Sequence, residues 1–200
     1  MPTGTRRARE RASTRARIIE AALHVLETEG VSALTIRRIA TDVEYAAPIV
    51  YQYFANKDAL VLELVAVGHR LMMAELEQAA REPDIDQRMM QLASEYVRFA
   101  GEHPHLYQVM IGNAVDAEER WRAAAPAISV LKQLLTTWSQ THDVALADLD
   151  EACDIVWGTL YGMASLGTIH TVGSERARWL AQQALRTLLR GWRIGSRDNA

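Results

Sequence analysis

Apolar residues recur at helical spacing along almost the whole chain and nowhere settle into the two-residue alternation of a half-buried strand. Ile18, Ala22, Val25 and Leu26 share one helix face, and Leu60, Leu64, Val65, Leu71 and Leu76 line another. With only 5 prolines to interrupt it, this pattern predicts an all-α chain. The punctuation is local. Thr14 can cap a first helix that Gly30 stops, and Thr35 a short second one carrying Ile36, Ile39, Ala40 and Val43. A third is expected over 46–53, and Asn56 stands where the cap of a long fourth helix belongs. Further helices are expected over 85–102, 104–112, 126–142, 148–171 and 174–193. Asp148 and Glu151 have capping-box spacing, and Ser174 is a further cap. Residues 113–125, closed by Pro126, read as the longest loop.

Composition narrows the function classes. Hydrophobic residues make up 49% and charged residues 24%, the balance of a chain that forms a core in water. No apolar run reaches the ~20 residues that span a bilayer, so no membrane partner is expected. The Arg-rich start lacks the apolar stretch of a secretory signal, and the lone Cys153 cannot close an internal disulfide; a reducing cytoplasm is the expected location. Phosphate loop, HExxH pair, GxSxG elbow and dinucleotide fingerprint are all missing, so neither an enzyme nor a cofactor is expected. His103 and His105 beside Glu102 read as a helix stop before Pro104 rather than a metal site. The net charge of -3 hides an asymmetry: residues 1–57 carry 9 basic and 6 acidic side chains, leaving 13 basic and 19 acidic for the remainder. A basic head on an acidic body fits a polyanion that meets the head alone.

The stretch Leu34–Lys57, LTIRRIATDVEYAAPIVYQYFANK, holds two short helices around a tight turn near Asp42–Tyr45, then the start of another helix. This is a helix-turn-helix layout, in which the second helix of the pair enters the DNA major groove. Ile39-Ala40 followed by Val50-Tyr51-x-Tyr53-Phe54-x-Asn56-Lys57 resembles the signature of the TetR family of bacterial regulators. The resemblance implies that Tyr51 and Tyr53 contact phosphates through their hydroxyls. It implies that Lys57 adds charge at a helix start, and that Thr35 offers its hydroxyl and amide to phosphate. Ile39, Val50 and Phe54 become the core that locks the head.

Two departures stand in the turn. The family usually has Gly-Val-Ser there, and this chain has Glu44, Tyr45 and Ala46. It thereby lacks the residue that takes a left-handed φ without strain and the usual cap of the recognition helix, with Pro48 as partial compensation. Between Ala46 and Val50 there is also no Arg, Lys, Asn or Gln to read a base edge. The expected readers are therefore Ala46, Ala47 and Ile49 at the helix tip, with methyl contacts from Ala47 and Ile49. Arg37 is expected on a guanine, and Gln52 as a further polar contact. Arg6, Arg7, Arg9 and Arg11 are expected to form a flexible basic arm over 1–13, ahead of a DNA-binding domain at 14–57.

Residues 58–195 resemble the helical ligand-binding and dimerisation body of the same family. Trp157-Gly158-Thr159-Leu160-Tyr161-Gly162, with Tyr96, Phe99 and His103–Tyr107, is similar to its WHG-type C-terminal domain, with Tyr161 where His is usual. The resemblance implies a homodimer through the last two helices, with Leu160, Leu166, Ile169, Leu180, Leu185, Leu188, Leu189 and Trp192 as apolar surface. It further implies near-palindromic operator DNA and a small, apolar ligand as partners. Met72, Met110, Tyr107, Trp121, Trp157 and Tyr161 are the expected pocket. A helical enzyme and a protein-binding adaptor are the alternatives, and salt-dependent binding to DNA distinguishes them.

Overall fold

The computed structural model describes residues 3–79, 82–112, 116–168 and 172–198, with side chains from 6–76, 82–112, 116–168 and 172–196. The described residues form nine helices and no strand. These are α1 (Thr3–Glu29), α2 (Ile36–Asp42), α3 (Ala47–Tyr51), α4 (Lys57–Ala79), α5 (Ile85–Glu102), α6 (Pro104–Ile111), α7 (Ala117–His142), α8 (Leu149–Thr168) and α9 (Ser174–Asp198). None of them is long and apolar enough to cross a membrane. They divide into two compact units, Met1–Gly68 with His105–Ala123, and His69–Pro104 with Ala124–Ala200. The division differs from the boundary expected after residue 57, because α6 and the start of α7 cluster with the head.

The first unit is built around α1. Ile18, Ala22, Val25 and Leu26 are fully buried, as are Leu34, Ile39, Val50, Leu60 and Leu64. Gly30 ends α1 with φ +81, a conformation that favours a residue without Cβ. α6 is fastened to the end of α1: Glu27 accepts the Leu106 amide at 3.1 Å, and His105 Nδ1 lies 3.1 Å from the Glu27 carbonyl oxygen. At Gly68 of α4 a Cβ would clash with the sulfur of Met110 on α6, so any side chain there would require Met110 to shift.

Two expectations fail in this unit. Residues 3–13 are not an arm but the opening of α1, which starts at Thr3 rather than at a cap on Thr14. Arg, Ala and Glu are strong helix formers, and Arg6 pairs with Glu10 one turn on at 2.8 Å. Of the loop expected over 113–125, residues 113–115 lie outside the described residues and 117–125 are helical. Helix α7 begins at Ala117, where Asp116 accepts the Glu118 and Glu119 amides at 2.9 and 3.4 Å. Pro126 lies inside α7, where it withholds one backbone donor without ending the helix.

In the second unit α5, α8 and α9 pack together around Met89, Phe99, Val156, Leu185 and the fully buried Trp138 of α7. Trp138 donates its Nε1–H to Asp86 at 2.9 Å, and Arg193 donates to the same carboxylate at 2.8 Å. Burial by itself pushes the Asp86 carboxyl up, but the hydrogen bonds from Arg193 and Trp138 outweigh it and hold the group below its ordinary value. Arg178 of α9 bonds the Ser94 hydroxyl of α5 at 3.1 Å. The expected cap at Asp148 is present, accepting the Asp150 and Glu151 amides at 2.7 and 3.2 Å. Ser174 is the first residue of α9 rather than its cap, and the Gly173 carbonyl accepts the Ala177 amide at 3.0 Å. α9 then runs five residues past the expected 193 to Asp198, where the Ala145 amide bonds Ser196 at 3.1 Å.

Candidate nucleic-acid interface

α2 starts on Thr35, whose hydroxyl accepts the Arg38 amide at 3.2 Å from an extended backbone. The turn that follows shows the cost of its sequence. Glu44 takes φ +59, a left-handed conformation that strains a residue with a side chain by about 1 kcal/mol. Ala46 sits at the N-cap of α3 and offers no side-chain bond to the open amides behind it. Pro48 in the first turn supplies pre-set helical φ, and α3 closes after 5 residues, with the Gln52 amide on the Ile49 and Val50 carbonyls. Asn56 then caps the next helix by accepting the Ala59 amide at 2.8 Å.

Around α3 the sequence-predicted readers gather on one unit. Thr35, Arg37, Ala46, Tyr51 and Gln52 are exposed, with Tyr51 53% open to solvent, while Ala47, Ile49, Tyr53 and Lys57 are half-buried. Ile39, Val50 and Phe54 lie in the core as expected. The basic side chains differ in what already holds them. Arg38 is tied to Glu29 at 2.8 Å and Asp42 at 3.1 Å, and Arg15 to Glu63 at 2.5 Å. Lys57 donates to the Val31 carbonyl at 2.9 Å. For Arg37 only the backbone carbonyl is engaged among the described residues, by Thr41 at 3.1 Å. Its guanidinium is available to an incoming anion or base edge.

The sequence reading did not anticipate three contacts from α1. Arg11 lies 5.2 Å over the Tyr53 ring, Arg15 lies 5.3 Å over Phe54, and Arg17 lies 5.3 Å over Tyr45. Spacing along the chain carries no signal for pairs separated by 28 to 42 residues. A shallow cleft of about 400 Å³ opens beside them, lined by Arg9, Glu10, Ser13, Thr14, Arg17 and Tyr45.

Residues 18–64, the segment that carries this geometry, match the bacterial regulatory proteins of the tetR family, and residues 89–188 match the tetracyclin repressor-like C-terminal domain. The chain belongs to the TetR family. It is a transcriptional regulator with a DNA-binding helix-turn-helix. An HTH-type transcriptional regulator of Bacillus subtilis strain 168, YobS, is 26% identical over 98 residues, 49% of this chain and 51% of that protein. The HTH-type regulator in the dhlA 5′ region of Xanthobacter autotrophicus is 38% identical over 69 residues, 34% of this chain and 33% of that protein. The matched segments thus span about half and a third of these relatives' own lengths. A solved Rhodococcus sp. RHA1 protein of unknown function shares the fold with TM-score 0.76 and 23% identity, over 89% of this chain and 94% of its own.

In this TetR-family chain the expected pocket residues are divided between the two compact units. Tyr107, Met110 and Trp121 belong to the first compact unit, and Met72, Trp157 and Tyr161 to the second. Tyr107, Met110 and Met72 are buried and Trp157 is half-buried, whereas Trp121 is 51% and Tyr161 43% exposed. Leu71, expected on the apolar face of α4, is exposed as well. Of the expected dimer surface, Leu160, Leu185 and Leu189 are consumed by the core of their own unit, and Ile169 lies outside the described residues. Leu166, Leu180, Leu188 and Trp192 are half-buried, and Ile155, Tyr161, Trp179 and Ile194 are exposed on the same two helices. His69 was missed altogether. It is 8% exposed on α4, and neither ring nitrogen has a hydrogen-bond partner among the described residues.

Proposed function

We propose that this TetR-family regulator is a homodimeric repressor that binds a near-palindromic operator and is released from it by a small apolar ligand. The observation that carries the DNA half is the exposed surface around α3, where Thr35, Arg37, Tyr51 and Gln52 stand together and Arg37 has no competing partner among the described residues. Tyr51 and Thr35 suit phosphate oxygens, which fix register, while Arg37 suits a guanine edge, which carries sequence. Ala46, Ala47 and Ile49 give the helix tip a methyl surface that suits thymine. Tyr53 and Lys57 retain phosphate roles only in so far as their groups can also leave Arg11 and Val31.

The ligand half is supported by buried apolar and polarisable side chains in both units: Tyr107 and Met110 in one, Met72 and Trp157 in the other. Dimerisation is supported by the exposed Ile155, Tyr161, Trp179 and Ile194 of the last two helices. Ligand and DNA would then oppose each other by a coupling free energy of about 1–3 kcal/mol. The test is fluorescence anisotropy with DNA from upstream of the chain's own gene, titrated over 50–300 mM salt. Selective binding that weakens steeply with salt, and release of the complex by a hit from a thermal-shift ligand screen, are the expected results. A folded dimer that shows no selective binding anywhere in that region would overturn the reading.

A further inference from the structure

The recognition helix of this head is poorly held by its own sequence. α3 has 5 residues, too few to be stable alone, no side-chain cap at Ala46, and a left-handed Glu44 ahead of it. Its orientation must come from elsewhere, and three arginines of α1 meet it at both ends. At its start, Arg17 donates to the Tyr45 hydroxyl at 3.0 Å, lies 5.3 Å over the Tyr45 ring and points a second nitrogen at the Val43 carbonyl, 3.4 Å away. At its exit, Arg11 donates to the Gln52 carbonyl at 3.2 Å, where the helix dipole gathers negative charge, and lies over the Tyr53 ring. Arg15, one turn on from Arg11, lies over Phe54 while paired with Glu63 of α4.

We propose that Arg17 and Arg11 are positioning residues for DNA recognition: they brace the two ends of α3 through Tyr45, Gln52 and Tyr53, in place of the glycine and serine that its turn lacks. The proposal rests on the DNA-binding reading above but differs from it over these two residues. An arginine of a basic arm would act by neutralising phosphate; these act by fixing the angle at which Ala47, Ile49 and Gln52 are presented. A planar guanidinium stacks flat on a ring while holding its donors in a fixed fork, a geometry that the compact ammonium of a lysine of equal charge does not reproduce.

Two measurements on the full-length chain separate the possibilities. The first needs no DNA: hydrogen–deuterium exchange of the peptide covering residues 43–56. Arg17→Lys and Arg11→Lys are expected to speed exchange there by about tenfold, with helicity by circular dichroism unchanged. Adding Glu44→Gly and Ala46→Ser to Arg17→Lys is expected to restore protection, because the turn then holds itself. Unchanged exchange in both lysine variants would overturn the proposal even if operator binding were intact. The second is anisotropy on the best-bound fragment against random DNA of the same length. For Arg17→Lys the expected result is a loss of about tenfold in operator affinity, an unchanged salt slope, equal binding to random DNA, and rescue by the repaired turn. Retained operator affinity in the lysine variants, with Arg17→Ala and Arg11→Ala each lowering the salt slope by about 0.9, would instead make them phosphate contacts. Absence of DNA binding in the wild type would remove the regulator's operator reading, leaving the exchange result to decide the bracing itself. Tyr45→Phe, a milder change that removes only the hydroxyl, should show part of the Arg17→Lys effect if the bracing holds.

Discussion

His69 is a polar side chain in an apolar place. On α4 it shares a face with Val65, Met72 and Leu76, all buried. With no hydrogen-bond partner for either nitrogen among the described residues, burial disfavours the imidazolium and lowers its pKa from 6.5 to about 4. In the window between these values the unfolded chain binds the proton and the folded one does not, so stability is full above pH 6.5 and falls as the pH drops towards 4. The loss amounts to roughly 3 kcal/mol at most. Urea denaturation at pH 7 and pH 4.5 should show it, and His69→Phe should remove most of that difference; an equally steep dependence in the variant would place the titration elsewhere. Arg37 offers a second test at this scale. Arg37→Ala is expected to cost about 1–3 kcal/mol on the preferred operator and to relax base preference at one position per half-site, measured by binding selection from a randomised pool. Equal weakening on all sequences would mark Arg37 as a phosphate contact.

At the scale of elements, what could be foreseen was what is decided locally. Thr35, Asn56 and Asp148 cap their helices as their positions in the sequence indicate, because a cap needs only its own side chain and the next three amides. The same holds for Gly30 and for the strained Glu44, whose conformations follow from the geometry of a turn. Helix limits were misjudged where two local signals compete. Thr14 can cap a helix, but the Arg- and Ala-rich residues before it favour helix more strongly, so α1 starts at Thr3. Pro126 can stop or start a helix, but Asp116 with the acidic first turn of α7 had already started one. The contacts made by Arg11, Arg15 and Arg17, like the isolation of His69, depend on which elements meet, and no periodicity encodes that. At the proposed interface, the bond from Lys57 to the Val31 carbonyl was not legible in the sequence.

For the whole molecule, the proposed dimer would connect a short reading head to a near-palindromic operator. On α8, Gly158 and Gly162 stand one turn apart with open space where a Cβ would be, near the exposed Ile155 and Tyr161. A double change, Ile155→Glu with Tyr161→Glu, is expected to halve the mass seen by sedimentation while leaving helicity intact. Operator affinity should fall more than tenfold, since each monomer would bring one head instead of two. A variant that stays dimeric would move the interface off this part of α8.

The missing Cβ at Gly68 has a chemical consequence. The sulfur of Met110 occupies the space a methyl group would need, and Met110 is 4% exposed. Oxidation to the sulfoxide adds an oxygen to that sulfur and makes it polar, which the contact with α4 cannot hold without α6 moving away. In dilute peroxide Met110 should therefore resist oxidation while the chain is folded and react readily once urea is added, a contrast that peptide mass spectrometry can follow. The half-exposed Met73 serves as the internal control. A methionine that records in its own mass whether two helices are still in contact would give this regulator a built-in gauge of oxidative damage to its head.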